Sequence, residues 1–182
     1  MKYVLYFILS IEHFGYSYIW FYPKHVMSLL NTTDPKNAVD KVGKFCIIQK
    51  LLQFSSLLIY GYYIRRKITI KKNFDYKLLL IGAIIIYIGQ ILNISVYNAI
   101  GKNGVYYGNR FGLNIPWETK FPYNIPFIKH PQYIGAFLSI IGGSILINTI
   151  FNFGSSTFVL NVVLFYFFSY IFIIVVESTP VV

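Results

Sequence analysis

LLLIGAIIIYIGQILNISVYNAI, residues 78–100, runs without a single charge straight into GKNGVYYGNRFGLNIPWETKFPYNIPFIKHPQYIG, residues 101–135. The first stretch has the length and apolarity of a bilayer-crossing helix, which needs about 20 such residues. The second breaks that character at once. It carries Arg110, Glu118, His130, several lysines and a concentration of prolines and glycines. A plain connector between membrane spans needs none of these. Groups that hydrogen-bond, stack and let backbone approach a ligand are gathered at one membrane boundary, which is how a membrane-embedded active site reads in sequence.

Working outward, the remaining apolar runs fall at 3–22, 45–64, 133–150 and 158–176. With 78–100 they predict an all-α integral membrane fold, a bundle of about five transmembrane helices in a single domain over 1–182. The first segment departs most from a simple span, because Glu12 falls at its middle. It is also a poor signal peptide and reads as retained, since Glu12 and His13 interrupt it and no small-residue cleavage site comes after it. Residues 31–44 form a polar connector in which Asp34 and Pro35 read as a helix cap followed by proline at the first helical position. Residues 65–77 form a short basic loop, and 152–156 a tight polar turn that makes the last two spans a hairpin.

The composition agrees. Apolar residues make up 56% of the 182 and charged residues only 12%, about half the share usual in soluble domains. The formal net charge of +10 raises the question of nucleic acid. The basic residues lie between apolar runs rather than on one soluble face, so nucleic acid is not expected. Clusters such as Arg65, Arg66 and Lys67 with Lys71 and Lys72 suit anionic lipid headgroups. Cys46 is the only cysteine, which excludes an internal disulfide. Three histidines without cysteine pairs give no metal-ligand pattern.

The hairpin has a topological consequence. If the fourth span leaves from His130 and the fifth returns, Glu177 arrives on the face that carries 101–132. The basic 65–77 loop lies on the other face. Its charge is nearly matched by Lys24, Lys36, Lys41, Lys44, Lys102, Arg110, Lys120 and Lys129 opposite, so the positive-inside rule only leans toward a cytosolic active face.

Within the third span, Gln90, Asn93 and Tyr97 share one helical face. Continued as the same helix, Gly101, Gly104, Gly108 and Gly112 fall close to that face. Two readings stay open: a groove where a ligand meets backbone, or small-residue packing between membrane helices. HPQYIG at 130–135 reads as a helix start with proline in its first turn. Its free N–H groups suit carboxylate or hydroxyl groups, with His130, Gln132 and Tyr133 adding side-chain contacts. The plainer alternative is an interfacial helix start anchored by tyrosine. Glu177 comes after an apolar run and is either a site acid or an exposed tail residue. Glu12 is a functional candidate by its place in an apolar segment. Trp117, Phe121 and Tyr123 read as interfacial anchors.

The run GQILNISVYNAIGKNGVYYGNRFGLNIPW, then FPYN, HPQYIG and VES, resembles the phospholipid N-methyltransferases, in particular the plant-type phosphatidyl-N-methylethanolamine N-methyltransferases. The resemblance implies S-adenosylmethionine as methyl donor, an endoplasmic-reticulum-type membrane and phosphatidylcholine as end product. In animal members a Gly-x-Gly pair in the third span and a Glu-Glu pair after the last are associated with the cofactor. This chain has Tyr87-Ile88-Gly89 at the first and Glu177-Ser178 at the second, so Gly89 and Glu177 match and their partners do not. Together with the glycine face and the 130–135 helix start, this gives the expected cofactor contacts Gly89, Gly104, Tyr107, Gly108, His130, Gln132, Tyr133 and Glu177. Glu177 and Glu118 are the candidates for the catalytic base, and Arg110 and Lys120 for the lipid phosphate. The expected partners are a membrane phospholipid and the bilayer, with self-association permitted by the glycine face. Two other readings compete: an isoprenylcysteine carboxyl methyltransferase, which shares a similar His-Pro-x-Tyr element, and a non-catalytic lipid-binding scaffold.

Overall fold

The structure is a computed structural model, and it describes residues 1–65, 69–115, 121–151 and 156–180. Among the described residues the order is α1 (Lys2–Phe21), α2 (Pro23–Leu29), α3 (Pro35–Arg65), α4 (Tyr76–Val105), α5 (Pro131–Ile150) and α6 (Ser156–Ser178). The predicted all-α bundle is what the chain forms. Among the described residues, four helices, α3 to α6, contain stretches long and apolar enough to cross a membrane. α1 is long enough but is not among them, as Glu12 in its middle foreshadows.

The apolar runs mark the membrane-crossing part of each helix rather than its ends. α3 begins ten residues before its apolar run because Asp34 caps it: the Lys36 and Asn37 amides donate to the Asp34 carboxylate at 3.1 and 3.3 Å. Pro35 then opens the helix, its missing N–H costing nothing there. Asp75 caps α4 likewise, accepting from Lys77 and Leu78 at 2.9 and 3.2 Å. Pro23 splits α2 from α1, a short helix that hydropathy alone does not mark.

α4 and α5 make the closest helix pair, and glycine is the reason. In lipid, helices associate through close packing rather than exclusion of water. A β-carbon at Gly89 would lie 2.6 Å from the Gly135 carbonyl oxygen, and one at Gly142 would lie 2.6 Å from that of Gly82. Two glycine contacts, seven residues apart on each helix, thus bring the backbones together. The polar stripe of α4 joins the same seam. Gln90 donates to Ser139 Oγ at 2.9 Å, and Asn93 Oδ1 lies 2.7 Å from where a Gly135 β-carbon would be. Of the two readings of that stripe, helix packing is the one Gln90 and Asn93 obey. Nor does the stripe run on straight. Gly101 leaves helical geometry at φ 63°, ψ −177°, so the glycines beyond it do not continue one helical face.

α1 packs on α3 and α6, and α5 on α6. Lipid-facing sides carry exposed apolar residues such as Phe7, Phe54, Ile84 and Phe168. The basic loop meets the far end of α5, where the Lys71 amide donates to the Ile150 carbonyl at 2.9 Å. The loop therefore lies at the opposite end of the bundle from His130. The 152–156 turn lies almost wholly outside the described residues.

Candidate active site

Where α4 ends, the chain turns back through 106–112 and is clamped from beneath. Tyr107 and Phe111 are buried in one apolar cluster with Ile19, Val26, Ala38, Val39, Val42 and Cys46 of α1, α2 and α3. Tyr107 itself sits at φ 60°, a conformation uncommon for residues other than glycine and held here by its surroundings. Gly112 has φ 97°, which only glycine takes without strain. The Gly108 amide donates to the Asn103 carbonyl at 2.7 Å, and a β-carbon at Gly108 would lie 2.6 Å from that oxygen. The glycines here let the chain fold tightly enough to turn Tyr107 inward.

What Tyr107 meets is Glu177. Its hydroxyl donates to Glu177 Oε1 at 2.5 Å, and the Tyr133 hydroxyl donates to the same oxygen. The two hydroxyls are 3.0 Å apart. Glu177 Oε2 lies 3.6 Å from His130 Nδ1. The carboxylate side chain is only 15% exposed, so Glu177 is held in the bundle and is not a loose tail residue. The hairpin has returned it to the face that carries 101–132.

These groups line a cavity of about 240 Å³ together with Trp20, Ile100, Gly104, Val105, Asn109, Tyr123, Lys129, Pro131 and Gln132. Pro131 opens α5 with His130 as its N-cap residue, so the amide-rich end of that helix borders the cavity. Burial, then the neighbouring Tyr133 and Glu177, raise the Tyr107 phenol well above its usual range. Burial and Glu177 push Tyr123 up to about 12. Both phenols therefore stay protonated at neutral pH, and Tyr107 is a fixed donor.

Of the residues expected at the cofactor, Gly104, Tyr107, His130, Gln132, Tyr133 and Glu177 line this cavity. Gly89 and Gly108 do not: the first faces α5 and the second its own turn. Arg110 lies beside the cavity but is engaged by α1. Its Nε donates to the Trp20 carbonyl at 3.0 Å, and its guanidinium carbon sits 4.8 Å from the Trp20 ring centroid. Glu118 and Lys120 lie outside the described residues, as does Trp117. Trp20, Asn109 and Lys129 are lining residues that the sequence did not single out. Tyr123, read as an anchor, also faces the cavity. Trp20 arrives from the end of α1, and no local pattern marks it.

Fold and site together define a class: a helical membrane protein with an acidic, aromatic cavity at one end of its bundle. The family model "Phospholipid methyltransferase" matches residues 78–181, which holds the kinked α4, both flanks of the cavity and Glu177. The chain belongs to the phospholipid methyltransferase family. It is also 51% identical over 53 residues to the phosphatidyl-N-methylethanolamine N-methyltransferase of Arabidopsis thaliana; the match spans 29% of this chain and 31% of that relative's length. No solved structure matches the chain.

Proposed function

We propose that the chain transfers methyl groups from S-adenosylmethionine to the headgroup amine of phosphatidyl-N-methylethanolamine and phosphatidyl-N,N-dimethylethanolamine, giving phosphatidylcholine. The observation that carries this is the partly buried Glu177 carboxylate, held by Tyr107 and Tyr133 in the cavity at the start of α5. Family membership supports amine methylation over ester formation on a prenylated cysteine, and a built acidic cavity argues against a bare scaffold.

The lining fits the implied cofactor in kind. A carboxylate and the rings of Trp20, Tyr107, Tyr123 and Tyr133 suit a cationic ligand through charge and cation–π contact. Its volume of about 240 Å³ is below the roughly 300–1,000 Å³ of whole-ligand pockets, so the described cavity holds the charged end. When bound, the cofactor supplies an electrophilic methyl on sulfur. The protein's task is then to strip and aim the acceptor. Free alkylamines have pKa values of roughly 10, so the amine must lose a proton before it can attack.

Glu177 Oε1 is occupied by two hydroxyls, whereas Oε2 lies toward His130. Oε2 is therefore the oxygen that takes the acceptor's proton or pairs with a cofactor amino group. Glu118 stays a second candidate base. Lys129 in the lining, the remaining N–H groups of Arg110, and Lys120 are the cations for the lipid phosphate. The alignment of donor and acceptor contributes up to about 7–11 kcal/mol in favourable cases. We place the protein in an endoplasmic-reticulum-type membrane with this face cytosolic. The test is expression in cells unable to methylate phosphatidylethanolamine, fed the monomethyl lipid, with lipid extraction afterwards. New phosphatidylcholine supports the reading, and its absence from cells that make folded protein rejects it.

A further inference from the structure

Two adjacent residues of α1 stand behind the two tyrosines that hold Glu177. The Tyr16 ring lies 5.2 Å from the Tyr107 ring, and the Tyr16 hydroxyl donates to Glu12 Oε1 at 2.7 Å. On the other side Tyr133 stacks on Tyr170 at 5.7 Å, and Tyr170 meets His13 edge to face at 5.3 Å. Both routes inward from Glu177 thus end on neighbouring positions of one helix.

Neither residue belongs there on packing grounds. Glu12 and His13 are 7% and 4% exposed, and both His13 ring nitrogens are buried without a hydrogen-bonding partner among the described residues. A leucine and a phenylalanine would fill the same space without burying polar atoms. Polar residues kept against local rules in an apolar helix point to function. The helix is also fixed in register. Gln49 and Gln53 of α3 donate to the Ile8 and Leu9 carbonyls at 2.6 and 3.1 Å, and Lys50 Nζ lies 4.0 Å from Glu12.

We propose that Glu12 and His13 are positioning residues for the Glu177 site. Acting through Tyr16 and Tyr170, they fix the rings of Tyr107 and Tyr133, and so the two hydroxyls that hold the carboxylate. Neither touches substrate. The inference rests on the methyl-transfer function proposed for this site.

The experiment uses the full chain in nanodiscs, with turnover of the monomethyl lipid, cofactor affinity and unfolding temperature measured together. Tyr16→Phe and Glu12→Leu each lower kcat by about tenfold, the scale of a small misplacement at a reacting centre. Because both break one contact, the double variant is little worse than either alone. Glu12→Gln keeps an acceptor for the Tyr16 hydroxyl and restores most of the rate. His13→Ala, which takes the ring away from Tyr170, lowers kcat. Unchanged kcat in Tyr16→Phe and His13→Ala overturns the proposal. So does a loss in Glu12→Gln that tracks a fallen unfolding temperature, which is mere structural damage. Should Glu12→Leu not fold, Tyr16→Phe decides alone, since it deletes one oxygen. A folded wild-type chain with no turnover rejects the functional reading and this inference with it; normal wild-type turnover with unaffected variants rejects the inference only.

Discussion

Tyr107 and Glu177, seventy residues apart in the chain, meet through a 2.5 Å hydrogen bond from the phenol to Oε1. The contact joins the turn after α4 to the last turn of α6, and it closes the cavity from two sides. Tyr133 completes the grip from the first turn of α5. Three elements that enter the membrane separately therefore form one site only after the bundle has assembled.

From this geometry, Glu177→Gln should weaken S-adenosylmethionine binding by about tenfold or more, because a charge-assisted hydrogen bond is worth roughly 1.5–3 kcal/mol. The amide still accepts from both tyrosines, so the fold should survive. Calorimetry of the variant in nanodiscs checks it, with unfolding temperature as control. Affinity equal to wild type would remove Glu177 from the cofactor site.

Tyr107→Phe keeps the ring in its apolar cluster and deletes the donor. The carboxylate retains Tyr133, so the expected loss is smaller, about 0.5–1.5 kcal/mol or a few-fold in affinity. Because burial and its neighbours keep the phenol protonated, the ratio of wild-type to variant affinity should not change between pH 6 and 9. A ratio that shifts across that range would mean Tyr107 ionises and is not a fixed donor.

The limits of the sequence show in particular residues. The apolar runs and the Asp34 cap were legible because burial in lipid and helix capping are local. The return of Glu177 came from counting spans. The glycines were harder. Gly89 matched a family position, yet its surroundings are the Gly135 backbone, a contact that depends on how α4 and α5 cross. The kink at Gly101 likewise rotates residues 102–112 away from the α4 face and removes the straight stripe. Trp20 lines the cavity from the end of α1 and packs under Arg110, tertiary contacts with no spacing rule.

The glycine seam carries its own prediction. Gly89→Val places bulk where a β-carbon already lies 2.6 Å from the Gly135 carbonyl oxygen. Overpacking of this kind costs typically about 1–3 kcal/mol, so the unfolding temperature should fall. Gly143→Ala is the control, since nothing lies within 4 Å of a β-carbon there. A Gly89→Val protein of wild-type stability that has lost cofactor affinity would instead return Gly89 to the cofactor.

Partly methylated lipid should be the better acceptor. Unmethylated phosphatidylethanolamine, when charged, presents three N–H donors and is strongly hydrated. Removing that water in an apolar site costs more than for an amine already carrying methyl groups. The cavity walls include the rings of Trp20, Tyr107, Tyr123 and Tyr133, and its acid Glu177 has one oxygen engaged. Tyr106, a further aromatic of the same turn, packs against Gly43 instead. Aromatic faces favour methylated ammonium by about 0.5–2 kcal/mol, a preference between a few-fold and some thirtyfold, roughly. Labelled methyl transfer to purified ethanolamine, monomethyl and dimethyl lipids in identical nanodiscs measures it. Replacing Tyr123 by leucine should narrow the preference while leaving the Tyr107 and Tyr133 hydrogen bonds to Glu177 in place. Equal or faster turnover of the unmethylated lipid would contradict the argument from the aromatic walls and make the chain competent for all three methylations.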